Sequence, residues 1–255
     1  MLRSFAGGSL FGAAWGSEPR RILALHGWGR THEDFAAALG SLPVIAPDLP
    51  GFGSTPPPPE AWGSVDYAAA LAPLFADTDL APPVVVVGHS FGGRVAVQLA
   101  ASAPGHVGAL VLTGVPLVRP DPGAVARRPP LAYRMVRRLA RAGLVSEARL
   151  ERAKDRHGSA DYRRAQGVMR NVLVRTVGED YTEPIATVAS SGLPVEMVWG
   201  EDDTETPPVI ARRLAGWTSD TIVTVCPGTG HLLPITMPAA LRDAVERAVS
   251  RLAPC

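Results

Sequence analysis

Short apolar runs alternate with helix-patterned segments along this chain, and that alternation limits its fold more than any other feature. The runs are RILAL (Arg21 to Leu25), PVIA (Pro43 to Ala46), VVVV (Val84 to Val87), ALVLT (Ala109 to Thr113), VEMVW (Val195 to Trp199) and TIVTV (Thr221 to Val225). Each is short, several are rich in β-branched residues, and Gly or Pro bounds them, which is how strands buried on both faces read. Between them the spacing predicts helices over Glu33 to Leu39, Val65 to Ala76, Phe91 to Ala103, Pro207 to Gly216 and Pro238 to Leu252. Strand followed by helix, repeated, predicts an α/β fold: a mostly parallel sheet with helices on both faces. The segment Leu2 to Trp15, broken by Gly7 and Gly8, predicts an antiparallel hairpin at one edge.

One interval departs from this rhythm. From Gly114 to Pro194 no core strand is evident, although a single crossover helix needs far fewer residues. The interval opens with the Pro- and Arg-rich VRPDPGAVARRPP and continues with LAYRMVRRLARAGLV, where Leu131, Met135 and Leu139 share one helical face. We read residues 119–185 as a helical cap, inserted after the strand at 109–113 into a core made of residues 1–118 and 186–255.

With 255 residues and 46% hydrophobic content, the chain can bury such a core as one large domain. No apolar run approaches the roughly 20 residues that span a bilayer. The N-terminal apolar residues are interrupted by Gly and Ser instead of forming the core of a signal peptide. Cys226 and Cys255 are the only cysteines, so no disulfide framework is indicated, and the expected location is the cytoplasm. A net charge of +1 gives little support to a nucleic-acid partner.

The stretch VVVVGHSFGGRVAVQLA, Val84 to Ala100, places Ser90 between a strand and a helix with glycines on both sides. A serine there would ordinarily read as a helix cap. Strand, G-x-S-x-G and helix together instead predict a sharp turn that exposes the hydroxyl at the strand's C-terminal end. Gly88 and Gly92 let the two backbones pass closely, and the helix directs its first N–H groups at developing negative charge.

A serine hydroxyl attacks only if a base takes its proton, and the base needs a carboxylate to orient it. His231, in CPGTGHLLP after the last predicted strand, emerges at the same sheet edge as Ser90. His26 is read as shaping its own loop, and His89 as pointing away from the serine. His32, His106 and His157 are read as surface residues. The carboxylate is sought in WGEDDTETPP, which offers Glu201, Asp202, Asp203 and Glu205. An aspartate is preferred because its short side chain is locally anchored, but spacing does not choose between Asp202 and Asp203. Asp48 is read as organising a turn.

Four motifs in order, HGWG at His26 to Gly29, DLPGFGST at Asp48 to Thr55, GHSFGG at Gly88 to Gly93, and WGEDD with GTGH near the C-terminus, give the chain a resemblance to the α/β-hydrolase superfamily. The resemblance implies Asp203 as the acid, the fourth residue of a G-x-x-D pattern beginning at Gly200, with Asp202 as the alternative. It implies backbone N–H groups of Trp28 and Phe91 as the oxyanion hole. Thr236 departs from the pattern, since many relatives carry glutamate at that place. The implied chemistry is hydrolysis of a carboxylic ester or thioester through an acyl-enzyme on Ser90, without metal or organic cofactor. Carbon–carbon bond hydrolysis, cofactor-free perhydrolysis and a slow-turnover ligand-binding receptor remain alternatives on the same scaffold.

Epoxide and haloalkane hydrolysis are disfavoured, because their nucleophile is an aspartate. Residues 119–185 carry 15 basic and 8 acidic side chains, a net +7 against +1 for the chain and hence −6 for the rest. Besides a small-molecule ester, that asymmetry points to an acidic substrate or negatively charged carrier facing the cap.

Overall fold

The structure, a computed structural model, describes residues 2–76, 79–118, 135, 138–140, 144–146 and 160–252. Its strands are β1 (Arg3–Phe5), β2 (Leu10–Trp15), β3 (Arg20–Leu25), β4 (Val44–Asp48), β5 (Leu80–His89), β6 (Val107–Thr113), β7 (Val195–Gly200) and β8 (Thr221–Cys226). They form one open sheet in the order β1-β2-β4-β3-β5-β6-β7-β8. The hairpin β1–β2 is antiparallel and joins β4 antiparallel, while all later pairings are parallel. The helices are α1 (Ala36–Leu39), α2 (Ser64–Leu71), α3 (Phe91–Ser102), α4 (Ala160–Arg164), α5 (Gly167–Gly178), α6 (Thr182–Ser191), α7 (Val209–Arg213), α8 (Leu233–Thr236) and α9 (Pro238–Ser250).

Both faces of the central strands are buried, and the two-residue period of a strand divides their side chains between two cores. Leu23, Leu25, Val84, Val86, Leu110 and Leu112 face one core with α2 and α3. Ile22, Ala24, Val85, Val87, Ala109 and Val111 face the other, with α1 and α9. Every one of these twelve side chains is almost fully buried, so the runs could not show the polar alternation of a half-exposed strand.

Several boundaries differ from the sequence reading. β5 begins at Leu80 and passes through Pro82 and Pro83, residues that normally interrupt a ladder. The predicted helix over Glu33 to Leu39 is a 3₁₀ turn, His32–Phe35, followed by the short α1. The one over Pro207 to Gly216 contracts to α7, because Leu214 leaves the helical region.

Between β6 and β7, the described residues contain α4, α5 and α6 and no strand. Most of the expected cap before Ala160, including Leu131 and His157, lies outside the described residues, as does Cys255. Among the described residues no helix is long and apolar enough to cross a membrane, and Cys226 is a buried free thiol.

Close approach at the β5–α3 junction depends on missing side chains. A Cβ on Gly92 would overlap the carbonyl of Leu25, and one on Gly88 would overlap the Cα of Gly93. Both obstacles are backbone and cannot rotate away. Gly92→Ala is therefore expected to destabilise the protein by about 1–3 kcal/mol or more, read as a lower urea midpoint. An unchanged midpoint would contradict the crossing described here.

Candidate active site

Ser90 follows β5 and precedes α3, with φ 50° and ψ −111°. A side chain at positive φ costs on the order of 1–3 kcal/mol unless its surroundings impose the geometry. Here Ser90 N–H donates to the Thr113 carbonyl at the end of β6 (2.9 Å), while the Ser90 carbonyl accepts from Gly93 N–H (3.1 Å). The turn is thus held on both sides and directs the hydroxyl towards His231, whose Nε2 lies 3.1 Å from Ser90 Oγ.

His231 stands on the loop after β8. Its Nδ1 lies 2.8 Å from Asp203 Oδ2, and Asp203 stands on the neighbouring loop after β7. The two loops are tied together: Glu201 N–H donates to Cys226 O, and Asp202 N–H to Thr229 O, both at 2.9 Å. Asp203 is almost fully buried. Its Oδ1 accepts from the N–H groups of Glu205 (2.9 Å) and Thr206 (2.8 Å), and its Oδ2 accepts from Thr206 Oγ1 (2.6 Å). Asp202 is exposed and contributes a backbone bond. The structure therefore brings Ser90, His231 and Asp203 into one line and leaves Asp202 outside it.

Charge fixes the proton positions. Burial alone would raise the Asp203 pKa, but the hydrogen bonds from His231 and Thr206 outweigh it and the value falls below its ordinary 3.8. An ionised carboxylate only accepts, so the His231 proton sits on Nδ1 and Nε2 is free to accept from the serine. Burial alone would lower the His231 pKa. The bond to Asp203 and the negative charges of Asp203, Glu205 and Asp161 reverse this and raise it above 6.5.

Three other histidines hold the surroundings. His89 Nε2 donates to the His231 carbonyl at 3.0 Å, and its buried Nδ1 meets no partner among the described residues. His26 donates from Nδ1 to Gly27 O and accepts at Nε2 from Leu49 N–H, both at 2.8 Å. His32, expected on the surface, is instead half-buried. Its N–H and its ring both reach Asp48 Oδ1, at 2.9 and 2.8 Å. Asp48 also accepts from Ser54 N–H (3.0 Å), so it organises its turn as anticipated.

Two cavities meet at Ser90 and His231, and Trp28, Asp161 and Glu205 line both. One, of about 220 Å³, is bordered further by Arg30, Arg164 and Leu232. The other, of about 310 Å³, is walled by Phe91, Arg94, Pro116, Leu173, Thr176 and Val177. Phe91 is the first residue of α3, and Trp28 packs edge-on against its ring at 5.4 Å. Among the described residues no group of three or more His, Cys, Asp or Glu side chains is placed to hold a metal ion.

Sequence reasoning missed Thr206, which donates to Asp203 and lies 3.2 Å from His231 Nδ1. A hydroxyl three residues after an aspartate was the available signal, hidden in an acidic loop. It also missed Arg94 and Asp161 as cavity residues, since helical spacing shows which residues share a face but not which face lines a cavity.

Residues 22–244 match the alpha/beta hydrolase family. Over 99 residues the chain is 46% identical to the lipase LipV of Mycobacterium tuberculosis, covering 38% of this chain and 37% of that protein. Over 100 residues it is 40% identical to a pimeloyl-[acyl-carrier protein] methyl ester esterase of Aromatoleum aromaticum, covering 36% of each. The matches thus span little more than a third of these curated relatives. A thermophilic esterase from Thermogutta terrifontis superposes with a TM-score of 0.65 over 96% of this chain and 94% of its own, at 21% identity. At that identity the likeness shows a shared fold.

His26 and His89 are fully buried, and burial pushes both values from 6.5 down to about 4. Between those values the unfolded chain binds a proton at each that the folded chain refuses, so stability is complete above pH 6.5 and falls as the pH drops towards 4. The loss is on the order of 3 kcal/mol per histidine across the whole window. His231, with its raised value, acts oppositely, and its contribution fades as the pH rises through that value. Urea midpoints at pH 7 and 5 are expected to differ less for His26→Gln, whose amide can still accept from Leu49, than for the wild type. An equal difference in both proteins would refute the assignment.

Proposed function

Because the chain belongs to the alpha/beta hydrolase family, we propose that it is a serine hydrolase cleaving carboxylic esters through an acyl-enzyme on Ser90. The observation that carries this reading is the continuous line Ser90 Oγ, His231, Asp203, with spacings of 3.1 and 2.8 Å. The names of the curated relatives, a lipase and a methyl ester esterase, support ester bonds as the target.

Each step is assigned to a group of this chain. His231 Nε2 takes the Ser90 proton as Oγ attacks the ester carbonyl, and Asp203 stabilises the imidazolium that forms. The N–H groups of Phe91 and Trp28 take the oxyanion. Phe91 N–H suits this role because the first amides of a helix have no intrahelical acceptor. The tetrahedral species collapses as His231 returns its proton to the departing alcohol, leaving the acyl group on Ser90. Water, deprotonated by the same nitrogen, then releases the acid and restores the serine. No step calls on a metal or organic cofactor.

The insertion between β6 and β7 acts as a cap in this scheme. α4 supplies Asp161 and Arg164 to the cavities, and α5 supplies Leu173, Thr176 and Val177. These helices wall the space beside the nucleophile.

Ser90→Ala should lower kcat on short 4-nitrophenyl esters by about 10⁵-fold or more, and a fluorophosphonate should label Ser90 and no other residue. Wild-type turnover by Ser90→Ala would end the proposal. Because the His231 pKa is raised, kcat/KM should climb with pH through an apparent pKa above 6.5. Glu205 lies 3.7 Å from His231 Nε2 and is well exposed, so Glu205→Gln should move that limb to lower pH by a small, salt-sensitive amount. A shift to higher pH would show that the electrostatic account is wrong.

A further inference from the structure

One helical turn beyond Ser90, about 6 Å along the axis of α3, Arg94 forms part of the wall of the 310 Å³ cavity. The neighbouring wall is mostly apolar there, with Phe91, Pro116, Leu173 and Val177 beside Thr176. Arg94 is half-buried, and burial pulls its pKa down while Tyr181 and Glu179 hold it up. Among the described residues, no carboxylate forms an ion pair with it.

The nearest charge that steadies Arg94, Glu179, is already engaged by Ser64 N–H at 2.8 Å and Tyr181 Oη at 2.5 Å. One guanidinium nitrogen, Nη1, donates to the Thr176 carbonyl at 2.8 Å. The Cζ atom stands 5.7 Å from the centre of the Tyr181 ring. Nε is buried with no partner, and Nη2 has none among the described residues. Nη2 is thus the guanidinium nitrogen left to bond a carboxylate, through a charge-assisted hydrogen bond.

A half-buried cation with an unpartnered, buried Nε is costly in a mostly apolar wall. The cost is offset when the ligand brings the matching anion. Asp161 and Glu205 line the same cavity beside His231, so they disfavour an anion near the reacting atoms. Repulsion at one end and an open guanidinium at the other set the direction in which a charged substrate enters.

We propose that Arg94 is a specificity residue that binds a carboxylate at the far end of the acyl chain, making half-esters of short dicarboxylic acids the preferred substrates. This rests on the reading of Ser90 as the esterase nucleophile. The ester carbonyl lies at Ser90, the methylene chain contacts Phe91, Leu173 and Val177, and the free carboxylate meets Arg94 Nη2.

The test compares kcat/KM for 4-nitrophenyl half-esters of succinate, glutarate and adipate with those for neutral 4-nitrophenyl alkanoates of matching length. In the wild type, one half-ester should be favoured by about 10- to 100-fold, chiefly through KM. Arg94→Gln should bring the ratio close to one, and Arg94→Lys should keep part of the preference. Should Arg94→Gln fail to fold, the wild type alone suffices: glutaramate should inhibit neutral-ester hydrolysis at lower concentration than valeramide.

Hydrolysis of neutral esters without a preference for any half-ester, a ratio unchanged in Arg94→Gln, or equal inhibition by the two amides would overturn the carboxylate subsite and leave the esterase reading standing. Absence of any ester turnover, with no fluorophosphonate labelling at Ser90, would overturn both.

Discussion

The close crossing of β5 and α3 is the constraint on which the rest of the molecule depends. Gly88, Gly92 and Gly93 allow a strand buried on both faces to turn directly into a helix packed against β3 and β6. Only with that approach can the Ser90 hydroxyl stand at the C-terminal edge of the sheet, where the loops after β7 and β8 also end. The strained φ of Ser90 is a local cost of the geometry, maintained by bonds to Thr113 and Gly93 that belong to the sheet and helix themselves.

A second layer of order comes from the satisfaction of buried polar atoms. Asp203 has three hydrogen-bond donors besides His231, all supplied by Glu205 and Thr206. A buried carboxylate with so many donors stays ionised and keeps one orientation. The orientation determines the His231 tautomer, which in turn leaves Nε2 as an acceptor facing Ser90. Trp199 Nε1 donates to the Thr206 carbonyl at 2.7 Å, so the segment that holds the carboxylate is itself fastened to β7.

The parallel sheet was legible because its inner strands are buried on both faces and therefore appear as short apolar runs; β8, only partly buried at the edge, still reads as a strand through its β-branched residues. The Leu80–Pro83 part of β5 was not legible, since two prolines mask an extended segment that needs few ladder bonds. Ser90 and His231 could be read from the punctuation of glycines around predicted strand ends. The choice of Asp203 over Asp202 came only from resemblance, because adjacent residues on a loop have no periodicity to separate them; burial and the Thr206 hydroxyl distinguish them in space. His32 was misread because a loop histidine gives no hint of an aspartate sixteen residues away. Arg94 drew no reading from the sequence, because helical spacing does not show which face of α3 lines a cavity.

The bond from His89 to the carbonyl of His231 has a consequence for how the protein tolerates change. The residue immediately before the serine grips the main chain of the histidine that faces its hydroxyl. Displacing the elbow therefore drags its partner along, and the separation between the reacting atoms is insulated from shifts elsewhere. The walls supplied by α4 and α5 can accordingly change while Ser90 and His231 stay in register.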